Sequence, residues 1–211
     1  GGGFSTFRPG HSAYDAMSEA IETADVVLCG GDHIQRVTQS LNPRTIHYEG
    51  CVLPQFLPST GTPRNQVFKF GYAGGGYRVR EMQMLWPAVQ KICKEYTDGV
   101  HFEFWGMDSS IFSNIPEQVT FRPFTTNYYA YVDALSKGQF NAMLVPHMME
   151  PSPQRGKLPN KVFEAAVAGT FGIFSDVPTY EVVRRFGIGL MAKEETDHWY
   201  SAMKSVLEME G

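Results

Sequence analysis

From residue 66 onward, short runs of β-forming residues alternate with longer stretches of helical periodicity. That alternation restricts the fold to a parallel sheet whose strands are joined by crossover helices. Strands are expected at 67–73 (VFKFGYA), 100–106 (VHFEFWG), 118–122 (QVTFR), 141–146 (NAMLVP), 170–175 (TFGIFS) and 187–192 (GIGLMA). Helices should begin near Arg78, Asn127, Asn160, Thr179 and Glu194. In the first of them Met82, Leu85, Val89 and Ile92 recur at the three-and-four spacing of one buried face. Six such strands make one α/β domain with a doubly wound, Rossmann-like parallel sheet.

Residues 1–65 read differently. SAYDAMSEAIETA has a helical pattern, DVVLCG that of a strand, DHIQRVTQSL that of a helix and RTIHYEG that of a second strand. The next stretch, CVLPQFLPSTGTPRN, has three prolines and little periodicity, and it is the expected domain boundary. Two strands and two helices cannot close a core of their own. They either extend the main sheet or end another domain whose beginning is absent, and the start, GGGFSTFRPG, reads as the middle of something.

Charge and cysteine usage narrow the function classes. With 18 Lys and Arg against 22 Asp and Glu, the net charge is −4, and no run of basic residues could track a phosphate backbone, which argues against nucleic acid as a partner. Cys29, Cys51 and Cys93 are odd in number and widely spaced, without metal-site or disulfide-scaffold spacing, so a reducing, cytoplasmic compartment fits. No apolar run approaches the roughly 20 residues of a membrane-spanning helix. A location beside a membrane stays open.

Gly74, Gly75 and Gly76 follow the first strand of the main domain, with a helix just beyond. In a doubly wound sheet that turn is where backbone amides and the positive end of a helix approach a ligand phosphate. The spacing is neither a dinucleotide fingerprint nor a Walker loop. A tight turn is the plain alternative. Arg78 and Arg80 favour the phosphate, because a cation in the first helical turn opposes the helix dipole unless an anion offsets it.

A second cluster sits in KLPNKVFEAAVAGTFGIFSD, 157–176, after a stiff loop that carries Arg155. Arg155, Lys157 and Lys161 could neutralise a diphosphate at the helix N-terminus. Glu164, on the same side as Lys161, could then accept hydrogen bonds from the paired hydroxyls of a ribose. The plain alternative is a surface ion pair at i, i+3, worth a few tenths of a kcal/mol. A small-residue helix followed at once by an apolar strand weighs against full solvation of Glu164. His101 and His147 have no partners at metal-ligand spacing, so each reads as structural or incidental.

In this order, FGYAGGGYRVREMQMLWPAVQKICKEYTDGVHFEFWG, YYAYVDAL, NAMLVP, KLPNKVFEAAVAGTFGIFSDVPTYEVV and DHWYSAMKSVL resemble the carboxyl-terminal, donor-binding domain of GT-B glycosyltransferases of the retaining family 4 type. The similarity covers roughly residues 66–208, and ADVVLCGGDHIQRVTQSL with RTIHYEGCVLPQF looks like that family's passage into its interdomain linker. The resemblance implies a tail of an acceptor-side domain and the start of a linker in 1–57, linker in 58–65, and a nucleotide-sugar domain in 66–211. It implies sugar transfer from a nucleotide-diphosphate sugar to a glycan, lipid or protein, with retention and without metal or other cofactor. The acceptor would be held mainly by the missing amino-terminal part, through which the protein could sit at the inner face of a membrane.

The same resemblance assigns roles. Gly74, Gly75, Gly76, Arg78, Lys157 and Lys161 would face the donor diphosphate, with Arg78 and Lys161 stabilising the leaving group. Glu164 would match the second glutamate of the two-glutamate motif, which holds the ribose, and Gly106 and Phe124 would contact the base. The first glutamate falls at Gly156, so the donor sugar would meet Gly156 or a substitute such as Glu150 in the preceding loop. Two other classes compete: a nucleotide-sugar binding module without transfer activity, and a methyltransferase. Against the latter, no acidic residue ends VHFEFWG, where a ribose-binding carboxylate would stand.

Overall fold

A computed structural model describes residues 9–48, 50, 55, 57, 67–148 and 158–209, which fall into two compact units. In the first, α1 (Ser12–Thr23), β1 (Val27–Gly30), α2 (Asp32–Thr38) and β2 (Thr45–Tyr48) follow one another, and the two strands pair in parallel, with Val27 opposite Thr45. Asn42 ties the unit together. Its amide donates to the carbonyls of Ile21 and Ala24 at the end of α1, and its Oδ1 accepts from the Arg44 amide. Cys29 is the only buried hydrophobic residue among the described residues of this unit, while Leu28, Val37 and Ile46 are all more than half exposed. The two strands and two helices therefore do not close an apolar core.

The second unit is built on six parallel strands: β3 (Phe68–Ala73), β4 (Val100–Trp105), β5 (Val119–Arg122), β6 (Ala142–Val145), β7 (Phe171–Ser175) and β8 (Gly189–Ala192). Their order is β5-β4-β3-β6-β7-β8, every pair parallel, as the sequence pattern predicts for a doubly wound sheet. The chain winds outward from β3 to β5 and then returns to β6 beside β3. Ligands of open α/β sheets bind at such a reversal, outside the carboxyl ends of the strands.

One face of β3 and β4 presents Phe68, Phe70 and Tyr72 beside Val100, Phe102 and Phe104, all buried. Phe70 and Phe102 stack with centroids 4.8 Å apart. Onto this layer pack Met82, Leu85, Val89 and Ile92 of α3 (Val79–Glu95), with Trp199, Met203 and Val206 of α7 (Thr196–Met209) in the same core. Burying each of these side chains contributes about 1.5–3 kcal/mol, which is why the apolar period along α3 settles its orientation. The opposite face is closer-packed and partly ionic. A Cβ at Gly71 would lie 2.6 Å from Phe140, so only glycine lets that ring lie against β3. Buried Glu103 takes Lys69 Nζ at 2.6 Å and is also paired with Arg122.

Element ends differ from the sequence expectation by one to three residues, for local reasons. Gly187, expected to open the last strand, is instead the left-handed cap of α6 (Glu181–Phe186), with φ +61° and its amide on the carbonyls of Val183 and Arg184. A 3-10 turn at Pro178–Tyr180 delays α6 itself. Arg78 and Asn127 are N-caps rather than first helical residues, and Asn127 Oδ1 accepts from the Ala130 amide at 3.0 Å ahead of α4 (Tyr128–Ser136). Among the described residues no helix is long and apolar enough to cross a membrane.

Candidate functional site

The carboxyl ends of β3, β4 and β5 release the chain into three short segments that meet α4 and α5 (Asn160–Ala168) around one cleft of about 320 Å³. That is the lower end of the volume range of about 300–1,000 Å³ typical of small-molecule sites. The glycine turn contributes Gly74 and Gly75, the end of β4 contributes Trp105 and Gly106, and the segment after β5 contributes Pro123 to Thr126. From the helices come Tyr128, Tyr131, Lys161 and Glu164.

The glycine turn is held by the sheet it leaves. The Gly74 amide donates to the Trp105 carbonyl at 3.0 Å, and the Arg78 amide donates to that of Gly75 at 3.1 Å. The first of the three amides is thus spent on the ladder. Among the described residues no backbone bond takes the amides of Gly75 and Gly76. Gly106 is required by geometry: its φ is +82°, and a Cβ there would stand 2.3 Å from the Gly74 carbonyl oxygen and 3.1 Å from the Phe124 ring. The absence of a side chain at Gly106 brings the turn and Phe124 together.

Arg78 is 9% exposed at the base of the turn. Its Nη1 donates to Glu81 Oε1 at 3.1 Å, which supplies the anion that a cation at a helix N-terminus needs. The remaining N–H groups of its guanidinium fork are not required by that bond. Arg78, Lys161, Tyr72 and Tyr180 also line a smaller recess of about 10 Å³, room for one water. Burial pushes the Tyr72 and Tyr180 hydroxyls up, against the pull of the Arg78 charge, so both stay protonated.

Lys161 stands in the first turn of α5 and Glu164 one turn on, their side chains 24% and 14% exposed. Lys161 Nζ donates to Glu164 Oε2 at 2.6 Å, and the Tyr131 hydroxyl donates to the same oxygen. The Tyr131 ring packs edge-on against Trp105, with centroids 6.3 Å apart, and Lys161 Nζ lies 5.9 Å from its centroid. Burial, and then the Glu164 charge, hold the Tyr131 hydroxyl in its protonated form.

Seven residues singled out in the sequence therefore meet at one cleft: Gly74, Gly75, Arg78, Gly106, Phe124, Lys161 and Glu164. Gly76 and Arg80 are exposed and do not line it. Glu150, Arg155, Gly156 and Lys157 lie outside the described residues. Sequence reasoning passed over Glu81, Trp105, Tyr128 and Tyr131. The spacing of Tyr128 and Tyr131 in YYAYVDAL, three apart on one helix face, is the signal that could have found two of them. Among the described residues no group of three His, Cys, Asp or Glu side chains could hold a metal ion.

The fold is similar to that of solved glycosyltransferases. WaaG, a glycosyltransferase involved in lipopolysaccharide biosynthesis, matches with a TM-score of 0.70 at 12% identity, over 98% of this chain and 61% of its own. A variant of S. aureus TarM in complex with fondaparinux, α-GlcNAc-glycerol and UDP matches at 0.66 and 10% identity, over 93% and 39%. The trehalose-6-phosphate synthase OtsA matches at 0.62 and 9% identity, over 94% and 55%. The chain thus spans between 39% and 61% of the length of these proteins. No protein-family model matches it, and no curated protein matches it by sequence. At these identities the likeness is one of fold, and the six-stranded parallel sheet with its flanking helices matches the Rossmann-like domain of GT-B glycosyltransferases.

Proposed function

We propose that the six-stranded unit binds the nucleotide-diphosphate sugar of a glycosyltransferase, and that the protein transfers the sugar to a glycan, lipid or protein acceptor with retention and without a metal. The observation that carries this reading is the convergence on one cleft of a glycine turn, two cations, a carboxylate and an aromatic ring contributed by five segments of the chain. The glycine turn, Arg78 and Lys161 take the diphosphate. Glu164 takes the ribose, while Phe124 and the backbone at Gly106 take the base. As the bond to the sugar breaks, charge gathers on the departing diphosphate, and Arg78 and Lys161 stabilise it. The donor is a co-substrate, and no further cofactor enters.

In the same reading, residues 66–211 form the donor domain, 58–65 the linker and 1–57 part of the acceptor side. Free, buried thiols at Cys29 and Cys93 support a reducing, cytoplasmic setting. A thermal-shift panel of uridine, guanosine and adenosine diphosphates tests the proposal, because a ligand of the native state raises its stability by RT ln(1 + [L]/Kd). One diphosphate should raise the melting temperature, and by more than its parent nucleoside does. No shift with any of the three at millimolar concentration would overturn the reading.

A further inference from the structure

Glu164 has two tasks if it holds a ribose: it must accept two hydroxyls, and it must stay in place while they arrive. An ionised carboxylate offers about four lone-pair positions, two on each oxygen. Both donors that the structure gives to Glu164, Lys161 Nζ and the Tyr131 hydroxyl, converge on Oε2. Among the described residues none donates to Oε1. The lone pairs left for a vicinal diol therefore lie on Oε1.

The two donors on Oε2 are not equivalent once a diphosphate arrives. Lys161 is a flexible cation, and a phosphate competes for it directly. Tyr131 is neutral and half-buried, with its ring against Trp105 and its helix packed beside α5. A diphosphate has no charge-based claim on it.

Resting on the ribose assignment of Glu164, we infer that Tyr131 is a positioning residue: it holds Glu164 Oε2 when Lys161 is drawn to the diphosphate, so that Oε1 is presented to the ribose diol. The hydroxyl acts only as a donor, which burial of Tyr131 favours. Holding the carboxylate in advance removes an ordering cost that would otherwise be subtracted from affinity.

The test is calorimetric titration of wild type and Tyr131→Phe with uridine and guanosine diphosphates and with their 2′,3′-dideoxy analogues. Phenylalanine keeps the ring contacts and removes only the hydroxyl. Tyr131→Phe should weaken the ribose form about five- to tenfold, less than the full value of a hydrogen bond to a charged group because only the positioning of the carboxylate is lost, and change the dideoxy form by less than about twofold. In a Glu164→Gln background the same change should add nothing. Equal losses for both forms, or no loss for either, would overturn the inference and leave the nucleotide-binding proposal standing. Failure of wild type to bind either of these or adenosine diphosphate would overturn both.

Discussion

Lys161 Nζ and Glu164 Oε2 stand 2.6 Å apart on the wall of the cleft, with the Tyr131 hydroxyl on the same oxygen. Sequence alone left open a solvated surface pair or a ligand site here, and the structure shows the ion pair itself away from a solvated face. It is an ion pair at i, i+3, and it belongs to a recess rather than to a solvated face, because neither side chain is more than a quarter exposed. A pair so placed is poised for exchange: a ligand carrying both an anion and a diol can take each charge in turn without leaving the other unpaired.

Lys161→Ala should therefore weaken a nucleoside diphosphate far more than the matching nucleoside, by about tenfold or more, since the lost partner is the phosphate charge. Titration of the variant with both ligands checks this. Equal losses would remove Lys161 from the phosphate site and return it to a purely structural pairing with Glu164.

Glu164→Gln keeps the size of the side chain and removes its charge. Two hydroxyls bonded to a carboxylate contribute roughly 1.5–3 kcal/mol each, so ribonucleotide affinity should fall by about tenfold or more. A 2′,3′-dideoxy analogue should bind the variant nearly as it binds wild type. If the carboxylate served only Lys161 and Tyr131, neither ligand would respond, and only the melting temperature would move.

The four inner strands are legible in the sequence because central parallel strands are largely buried on both faces and read as apolar runs, whereas the half-exposed edge strands β5 and β8 are legible from their short β-forming runs and their place in the alternation. The buried face of α3 is legible from the spacing of Met82, Leu85, Val89 and Ile92. The expected strand start at Gly187 fails because a glycine can also close a helix, and nothing in GIGLMA distinguishes the two uses. At the site, the glycine turn and the Lys161–Glu164 pair are legible since their members are neighbours in the chain. Tyr131 is not. It meets Glu164 across 33 residues, and Gly106 meets Gly74 only because β3 and β4 lie side by side. Convergence of that kind depends on strand order, which local patterns do not encode.

Glu103 lies between Lys69 and Arg122 on three adjacent strands. Burial works to raise its pKa, yet bonds and charge from Lys69 and Arg122 prevail and hold the carboxyl below its ordinary value of 4.5. A carboxyl depressed in the folded state contributes stability above the unfolded value and loses it as pH falls through the folded one. Glu103→Gln should cost about 1–3 kcal/mol at neutral pH, by leaving a mostly buried ammonium without its counter-charge. It should also flatten the decline in stability on acidification below about pH 4.5. Urea unfolding at a series of pH values checks both, and parallel pH profiles for variant and wild type would mean that Glu103 does not carry the acid sensitivity.

Gly106 and Gly76 make a controlled comparison on the two sides of the same turn. At Gly106 the φ of +82° and the Gly74 carbonyl oxygen, 2.3 Å from the site of a Cβ, leave no place for a methyl group unless the backbone shifts. At Gly76 the nearest neighbour of a Cβ would be the Gly106 carbonyl oxygen at 3.9 Å, an ordinary contact. Gly106→Ala should therefore destabilise the protein by about 1–3 kcal/mol, the scale of a residue forced into a sparsely populated conformation. Gly76→Ala should stay within about 0.5 kcal/mol of wild type, as surface substitutions away from special features do. Because the displaced atoms are Gly74 and the Phe124 ring, Gly106→Ala should also weaken nucleoside diphosphate binding, whereas a purely structural glycine would lower the melting temperature alone. Urea titration of both variants, followed by calorimetry at a temperature where each is fully folded, separates these outcomes. An alanine at 106 that leaves both stability and binding unchanged would mean that the close approach of the glycine turn to Phe124 does not shape the cleft.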